Sequence, residues 1–193
     1  ACAPFRRLHV CDRNLELIKP KNITTHNLLV DVCYAAKYEG DSISPNHDRY
    51  RINNPDSKIC TVLARSFADI GDIIRGKDLY LGNQEEKVKL EKKLKKNFRE
   101  NIDNLVKKKG EEAKDYYKDT ENYFQLREDW WALNRQQVWK AITCKANVDD
   151  KYFREKNSEG NDCSVEKCKC ANTDPPTKLD YVPQYLRWFE EWA

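Results

Sequence analysis

Apolar residues recur at intervals of three and four along most of this chain, which is the spacing of one face of an α-helix. No strand-like alternation longer than four residues is present. The clearest helical stripe comprises Cys60, Leu63, Ala64, Phe67, Ile70 and Ile74. The pattern predicts an all-α fold, a helical bundle.

Five helices are predicted, with irregular segments at 1–22, 41–55 and 145–178. The helices are expected at about 24–40, 56–75, 84–109, 115–143 (broken or kinked near 124–128) and from 183 onward. Gly40 and Gly76 are expected to end the first two helices, since glycine readily adopts the left-handed conformation of a C-cap. Gly71 interrupts the second helix, and we interpret it as a point of close helix–helix contact. Pro183 suits the first position of the last helix.

The composition indicates a globular chain with an aromatic core. Of 193 residues, 35% are charged and 39% hydrophobic, and the net charge is only +3. Five Trp, ten Tyr and six Phe supply large apolar side chains. No stretch approaches the 18 apolar residues of a membrane span. No charged-then-apolar leader opens the chain, and it lacks Met, so we expect a piece of a larger protein.

Eight cysteines in a chain of this size indicate an oxidising, extracellular environment. They are Cys2, Cys11, Cys33, Cys60, Cys144, Cys163, Cys168 and Cys170. A zinc site at Cys163, Cys168 and Cys170 is the alternative, but it lacks a CxxC pair and a nearby His. The sequon Asn22-Ile23-Thr24 gives weak support for secretion.

One disulfide follows from the predicted helices. Cys60 begins one amphipathic helix and Cys144 ends another, so the two meet if these helices pack antiparallel. Such a bridge closes a long loop, and the chain-entropy model gives it about 4 kcal/mol. The other pairings cannot be deduced from the sequence.

The third predicted helix carries a basic stripe. Between residues 84 and 109 the chain has ten bases and five acids. One side of this helix presents Lys89, Lys92, Lys93, Lys96 and Arg99. A stripe of this kind can bind a sulfated glycan or another polyanion. The same pattern is typical of a solvated helix face.

Nothing in the sequence predicts an enzyme, a cofactor or a metal site. There is no GxSxG, HExxH or phosphate-binding loop. The adjacent carboxylates at 128–129 and 190–191 point apart on a helix, so they form no catalytic pair. His9, His26 and His47 have no nucleophile or metal partner nearby in sequence. Trp130, Trp131 and Trp188 could stack on sugars, but helical spacing favours a place in the core.

Five motifs in order along nearly the whole chain resemble one family. They are ACAPFRRL at 1–8, ADIGDIIRG at 68–76, LREDWWALNR at 126–135, VWKAITC at 138–144 and DYVPQYLRWFEEW at 180–192. Together they resemble the alpha-type Duffy-binding-like domains of erythrocyte membrane protein 1 of Plasmodium falciparum.

The resemblance implies an extracellular adhesion domain of a variant surface antigen on infected erythrocytes. It implies attachment to host red-cell receptors or to sulfated or blood-group glycans, in rosetting and cytoadherence, and antigenic variation under host antibodies. The variable-looking segments would be 83–123 and 145–178. It implies neighbouring domains in one large membrane-anchored protein, with no nucleic acid and no direct membrane insertion by this chain. The alternative is a structural or immune-decoy scaffold with no receptor site of its own.

The resemblance also implies how the chain is divided. Residues 1–22 would be the edge of a first subdomain, 23–144 the helical second subdomain, and 145–193 a disulfide loop with the start of a third-subdomain helix. In the family, the cysteines matching Cys2 and Cys11 can pair with cysteines upstream. One of Cys163, Cys168 and Cys170 can likewise belong to a bond with a cysteine downstream. The family pattern agrees with a bond between Cys60 and Cys144.

Overall fold

The structure, a computed structural model, describes residues 2–12, 15, 25–82, 84–119, 121–157, 159–163, 166–172 and 174–192. Within these ranges the elements are α1 (Phe5–Leu8), α2 (Thr25–Arg51), α3 (Ile59–Arg75), α4 (Gln84–Lys109), α5 (Glu111–Tyr116), α6 (Phe124–Ile142), a 3-10 helix (Leu179–Tyr181) and α7 (Gln184–Trp192). The described residues hold no strand, only an isolated bridge between Lys156 and Asp162. The predicted all-α fold is confirmed.

Helix α3 is the centre of the bundle, and almost every side chain along it is buried. Helices α2 and α6 pack against it, as do the 3-10 helix and α7. Phe67 lies between two tryptophans of α6, with ring centroids 5.1 Å from Trp131 and 5.2 Å from Trp139. Both indoles are fully buried, as the preference for a core role predicted.

Glycine lets α3 and α6 approach closely. A Cβ on Gly71 would lie 2.7 Å from Cζ2 of Trp131, closer than carbon atoms can pack. This contact bears out the interpretation of Gly71. Gly76, by contrast, ends α3 as predicted and has a left-handed φ of 72°.

The prediction that the first helix ends at Gly40 is wrong, because α2 continues to Arg51 through the segment expected to be a loop. Gly40 is a contact residue, since a Cβ there would lie 2.1 Å from the carbonyl oxygen of Ile142. Pro45 is tolerated inside the helix. Near it, Ser44 Oγ donates to the carbonyl of Gly40 at 2.9 Å and the Asn46 amide donates to that of Ser42 at 2.9 Å.

The fourth predicted helix is broken, but earlier than expected. Helix α5 ends at Tyr116 and α6 begins at Phe124, whereas 124–128 is continuous helix. Asp119 organises the gap by accepting the backbone N–H groups of Glu121, Asn122 and Phe124. These hydrogen bonds hold the pKa of Asp119 below its ordinary value.

The predicted bond between Cys60 and Cys144 is also wrong. Cys60 is bonded to Cys168, and Cys163 to Cys170. Cys144 lies exposed beyond the end of α6, whereas Cys60 points into the core, where the irregular segment delivers Cys168. The two bonds also remove the zinc alternative, since all three of its cysteines are oxidised. Free thiols among the described residues are Cys2, Cys11, Cys33 and Cys144.

The remaining boundaries agree closely with the sequence. Helix α4 has the predicted ends, α7 begins at Gln184, and the part of 145–178 that the structure describes is irregular. The cap at Asn83 and the sequon at 22–24 lie outside the described residues. The side chain of His26 lies outside them as well. No helix among the described residues is long and apolar enough to cross a membrane.

Candidate functional site

The predicted basic stripe lies on the solvent side of α4. Leu90, Leu94 and Phe98 fix the orientation of this helix by facing the core. Of the stripe, Lys89, Lys92, Lys96 and Arg99 are exposed and Lys93 is half-buried. None of the five forms an ion pair with another described residue.

Other bases of the same helix hold it in place. Lys87 Nζ donates to the carbonyl oxygens of Asp78 and Tyr80, at 2.9 and 2.5 Å. Lys95 Nζ donates to Asn122 Oδ1 at 2.7 Å. The structure therefore separates the lysines that attach α4 to its neighbours from the stripe, in which four of the five side chains are exposed.

A buried arginine attaches α4 to the core. Arg127 of α6 is fully buried, and its guanidinium binds both carboxylate oxygens of Glu91 at 2.6 and 3.0 Å. The same group donates to the carbonyls of Ile73 and Ile74 at the end of α3. One side chain thus satisfies a helix C-terminus and fixes the orientation of the stripe.

A second set of polar side chains lies around α3, and all of them are buried except Arg6, whose side chain is 13% exposed. We call this set the buried charge network: Arg6, Asp69, Asp72, Arg75, Asp180, Gln184 and Arg187. At its centre Asp69 forms ion pairs with Arg6 and Arg187, both at 2.7 Å, and accepts from Gln184 at 3.1 Å. Burial disfavours the charged carboxylate, but the two guanidinium groups outweigh it and hold the pKa of Asp69 below its ordinary value.

Asp72 lies one turn further along α3 and behaves differently. Arg187 contacts it at 2.5 Å and Arg75 at 2.9 Å. Burial nevertheless raises the pKa of Asp72 to about 6, with a smaller contribution from repulsion by Asp69. The two carboxylates therefore titrate in opposite directions from their ordinary values.

Asp180 extends the network to α6. Its carboxylate accepts from Trp131 Nε1 at 2.9 Å and from Arg135 at 2.8 and 2.7 Å, and its backbone carbonyl accepts from Arg75 at 2.5 Å. Together with Asp69, Asp180 thus connects the N-terminal segment, α3, α6 and α7 through hydrogen bonds and ion pairs.

Sequence reasoning overlooked this network. Its signal was Asp69, Asp72 and Arg75 at three-residue spacing in the second half of a helix whose other positions from 67 to 74 are apolar or glycine. A buried helix with charges on one side needs partner charges elsewhere in the chain. The arginines of ACAPFRRL and PQYLRWF supply them. The charged residues that these motifs contribute to the network therefore hold the fold together.

The tryptophans and two of the histidines considered in the sequence have structural roles. Trp130, Trp131 and Trp188 are buried, which agrees with the prediction that they lie in the core. His47 is buried against Ser57, with Nε2 3.0 Å from the hydroxyl, and His9 packs on Phe5. No group of three or more candidate metal ligands is found in the part of the chain that the structure describes.

Comparison with known proteins agrees with this architecture. The family model described as "Duffy binding domain" matches residues 1–187. The chain belongs to the Duffy binding domain family. Domains of this family are adhesion domains and not enzymes, so the family supports the non-enzymatic prediction. No curated protein matches the chain.

Solved structures of Plasmodium falciparum membrane protein 1, PfEMP1, are similar over the whole chain. The NTS-DBL1(alpha-1) domain from the varO strain is 49% identical, with a TM-score of 0.84, and confirms the resemblance to alpha-type domains. The match covers 100% of this chain and 43% of that one, so the chain spans less than half of its relative.

Two further relatives are domains bound to a host protein. The DBLβ domain of IT4var13 PfEMP1 bound to ICAM-1 is 36% identical, with a TM-score of 0.70, covering 100% of this chain and 44% of that one. A DBLβ domain bound to human ICAM-1 is 32% identical, with a TM-score of 0.69, covering 97% and 38%. PfEMP1 proteins are located at the surface of infected erythrocytes.

Proposed function

We propose that this chain is part of an adhesion domain displayed on the infected erythrocyte, attaching that cell to red-cell receptors or sulfated glycans in rosetting. The observation that carries the proposal is the basic stripe of α4, whose cations form no ion pair with another described residue. A rigid helix presenting such cations attracts spaced sulfate or carboxylate groups. The ICAM-1 complexes of two relatives support receptor binding as the general role.

Antigenic variation is part of the same proposal. About half of the described positions of helix α4 and of segment 145–178 are exposed, and the buried charge network includes no residue of either. Substitutions on these surfaces change what host antibodies contact at little cost in stability. The proposed setting is a larger membrane-anchored protein with neighbouring domains.

The direct test is binding of the oxidised, folded chain to uninfected red cells, with and without soluble heparin. We expect saturable binding that heparin inhibits, and no binding by the reduced and unfolded chain. Absence of binding by a chain whose helicity is confirmed by circular dichroism would contradict the proposal.

A second candidate is a structural or immune-decoy scaffold, favoured by the chain's covering only 43% of its alpha-type relative. In that case the receptor site belongs to the rest of the domain. The same assay separates the two functions, because a scaffold folds fully but has no saturable affinity for red cells.

A further inference from the structure

A concave site lies on a different part of the molecule from the stripe, between the first turns of α3, the end of α7 and the irregular segment 145–178. Its volume is about 450 Å³, within the range of small-ligand sites. We call it the Arg154 pocket. Its lining includes Arg65, Tyr152, Phe153, Arg154, Lys156 and Lys178.

The pocket is positively charged. Four basic side chains line it against one acid, Glu190. Arg65 reaches Glu190 only at 3.3 Å, and Glu190 is 64% exposed. The Nε of Arg65 is buried without a hydrogen-bond partner among the described residues. Arg154, Lys156 and Lys178 are exposed and form no ion pair with another described residue. The cations are thus available to an anion.

The walls are suited to a ring with hydroxyl groups. Phe153 is 56% exposed, with Tyr152 behind it at a centroid distance of 4.7 Å. The guanidinium of Arg154 lies 5.3 Å from the Phe153 ring. Thr61 and Asn157 add neutral hydrogen-bonding groups. An aromatic face, neutral polar groups and cations together match a saccharide that bears a carboxylate or sulfate.

Covalent and hydrogen bonds hold this irregular wall in place. The Cys163–Cys170 bond closes a loop between the two parts of the wall, and the Cys60–Cys168 bond attaches that loop to α3. The backbone N–H of Cys163 donates to the carbonyl of Glu155 at 2.6 Å. Trp139 Nε1 donates to the carbonyl of Cys168 at 3.0 Å. The backbone that carries Arg154 and Lys156 is therefore held in place, which lowers the entropic cost of ordering it on binding.

We propose that the Arg154 pocket binds a single acidic unit of a host saccharide. The inference rests on the proposed adhesive function but names a second site. The stripe on α4 is convex and attracts a long polyanion, whereas the pocket encloses one or two sugar rings.

The test titrates the oxidised chain with three small probes and monitors backbone NMR signals. The probes are a sulfated heparin disaccharide, sialyllactose, which bears only a carboxylate, and neutral lactose. We expect one or both acidic probes to shift signals of 152–157 and 177–179, and lactose to shift none. Binding of the heparin disaccharide or of sialyllactose shows whether the pocket accepts a sulfate or a carboxylate.

Variants separate the pocket from general electrostatics. The triple change Arg154→Ala, Lys156→Ala, Lys178→Ala should weaken binding of the acidic probe at least tenfold. The matched change Arg49→Ala, Lys118→Ala, Lys140→Ala removes the same charge at exposed positions elsewhere and should leave affinity within twofold. Phe153→Ala should weaken binding at least fivefold, while Leu133→Ala, which removes another exposed apolar side chain, should not.

The proposal that the pocket binds an acidic saccharide would be contradicted by equal losses of affinity in the two triple variants. It would also be contradicted if neither acidic probe shifted the NMR signals. The adhesive function fails separately, if the folded chain shows no saturable binding to red cells. If the chain binds red cells but neither acidic probe, the adhesion proposal stands and the proposed saccharide site is wrong.

Discussion

Charged side chains occupy two opposite environments in this molecule. In the buried charge network, Asp69, Asp72, Arg75 and Arg187 are at most 4% exposed and form ion pairs at 2.5 to 2.9 Å. Along α4, the lysines of the stripe face water and contact no described acid. The same chemistry therefore specifies the fold in one region and is available for binding in the other.

The difference follows from desolvation. A buried charge without its partner costs several kcal/mol, so removing one member of the network affects the whole core. A solvated lysine has little effect on folding, and its charge acts over about 10 Å in moderate salt. Changes in the two regions should consequently affect different measurements.

The largest effect is expected for Asp69→Ala. It removes the carboxylate that Arg6 and Arg187 share, so that among the described residues Arg6 retains only Glu191 and Arg187 only Asp72 as an ion-pair partner. Losses of about 3–5 kcal/mol are typical of broken buried pairs. Urea unfolding measures the change. The matched variant Asp103→Ala, at an exposed position of α4, should change the unfolding free energy by less than about 0.5 kcal/mol. Equal effects would remove the distinction between the two regions.

Next is Cys60→Ser, which opens a bond that spans 108 residues. Loss of a native disulfide usually costs about 2–5 kcal/mol, and the thiol of Cys168 should become free. Cys144→Ser should preserve both bonds and most of the stability. Peptide mapping without reduction checks the pairing, and a Cys60–Cys144 peptide would contradict it.

Gly40→Ala should cost about 1–3 kcal/mol through overpacking. The added methyl meets the carbonyl oxygen of Ile142, which is backbone and cannot move aside alone. Thermal unfolding measures this loss of stability, with Ser42→Ala, at an exposed position of the same helix, as the control. A stabilised Gly40→Ala variant would mean that the contact between α2 and α6 is looser than described.

The pH dependence of stability should separate the two aspartates. The pKa of Asp72 is raised from 3.8 to about 6, so the folded state binds a proton more tightly. As pH rises from about 4 to about 6, its contribution to the free energy of unfolding therefore falls by on the order of 1–2 kcal/mol. Above about pH 6 this contribution is constant. Asp69 acts oppositely, since its lowered pKa makes stability fall with acidification below its ordinary value.

Asp72→Asn isolates this contribution. The variant should lose the decline between about pH 4 and 6, which urea unfolding at several pH values detects. Identical slopes for the variant and the original chain in that interval would show that Asp72 does not titrate there.

The smallest effect on stability is expected in the stripe. Replacing Lys92, Lys93, Lys96 and Arg99 together by Glu should change the unfolding free energy by no more than about 1 kcal/mol, because exposed charges contribute little. Helicity by circular dichroism should be unchanged. A large loss would place the stripe among the residues that hold the fold.

Periodicity predicted the helices where an apolar face meets polar solvent, as in α4, and the tight contact at Gly71. It was wrong at Gly40, because a glycine required by a neighbouring backbone looks the same in sequence as a C-cap. It was wrong for Cys60, because its partner lies in an irregular segment whose path has no period. The buried charge network went unpredicted, since its partners are up to 118 residues apart.

The most direct test of the account is the heparin affinity of the quadruple stripe variant at about 0.15 M salt. Its control replaces Arg49, Lys58, Lys118 and Lys140 by Glu, which makes the same change of charge at exposed positions outside the stripe. We expect the stripe variant to lose heparin binding and the control to retain most of it, with both chains folded. Retained binding by the stripe variant, or equal loss in both, would contradict the assignment of adhesion to α4.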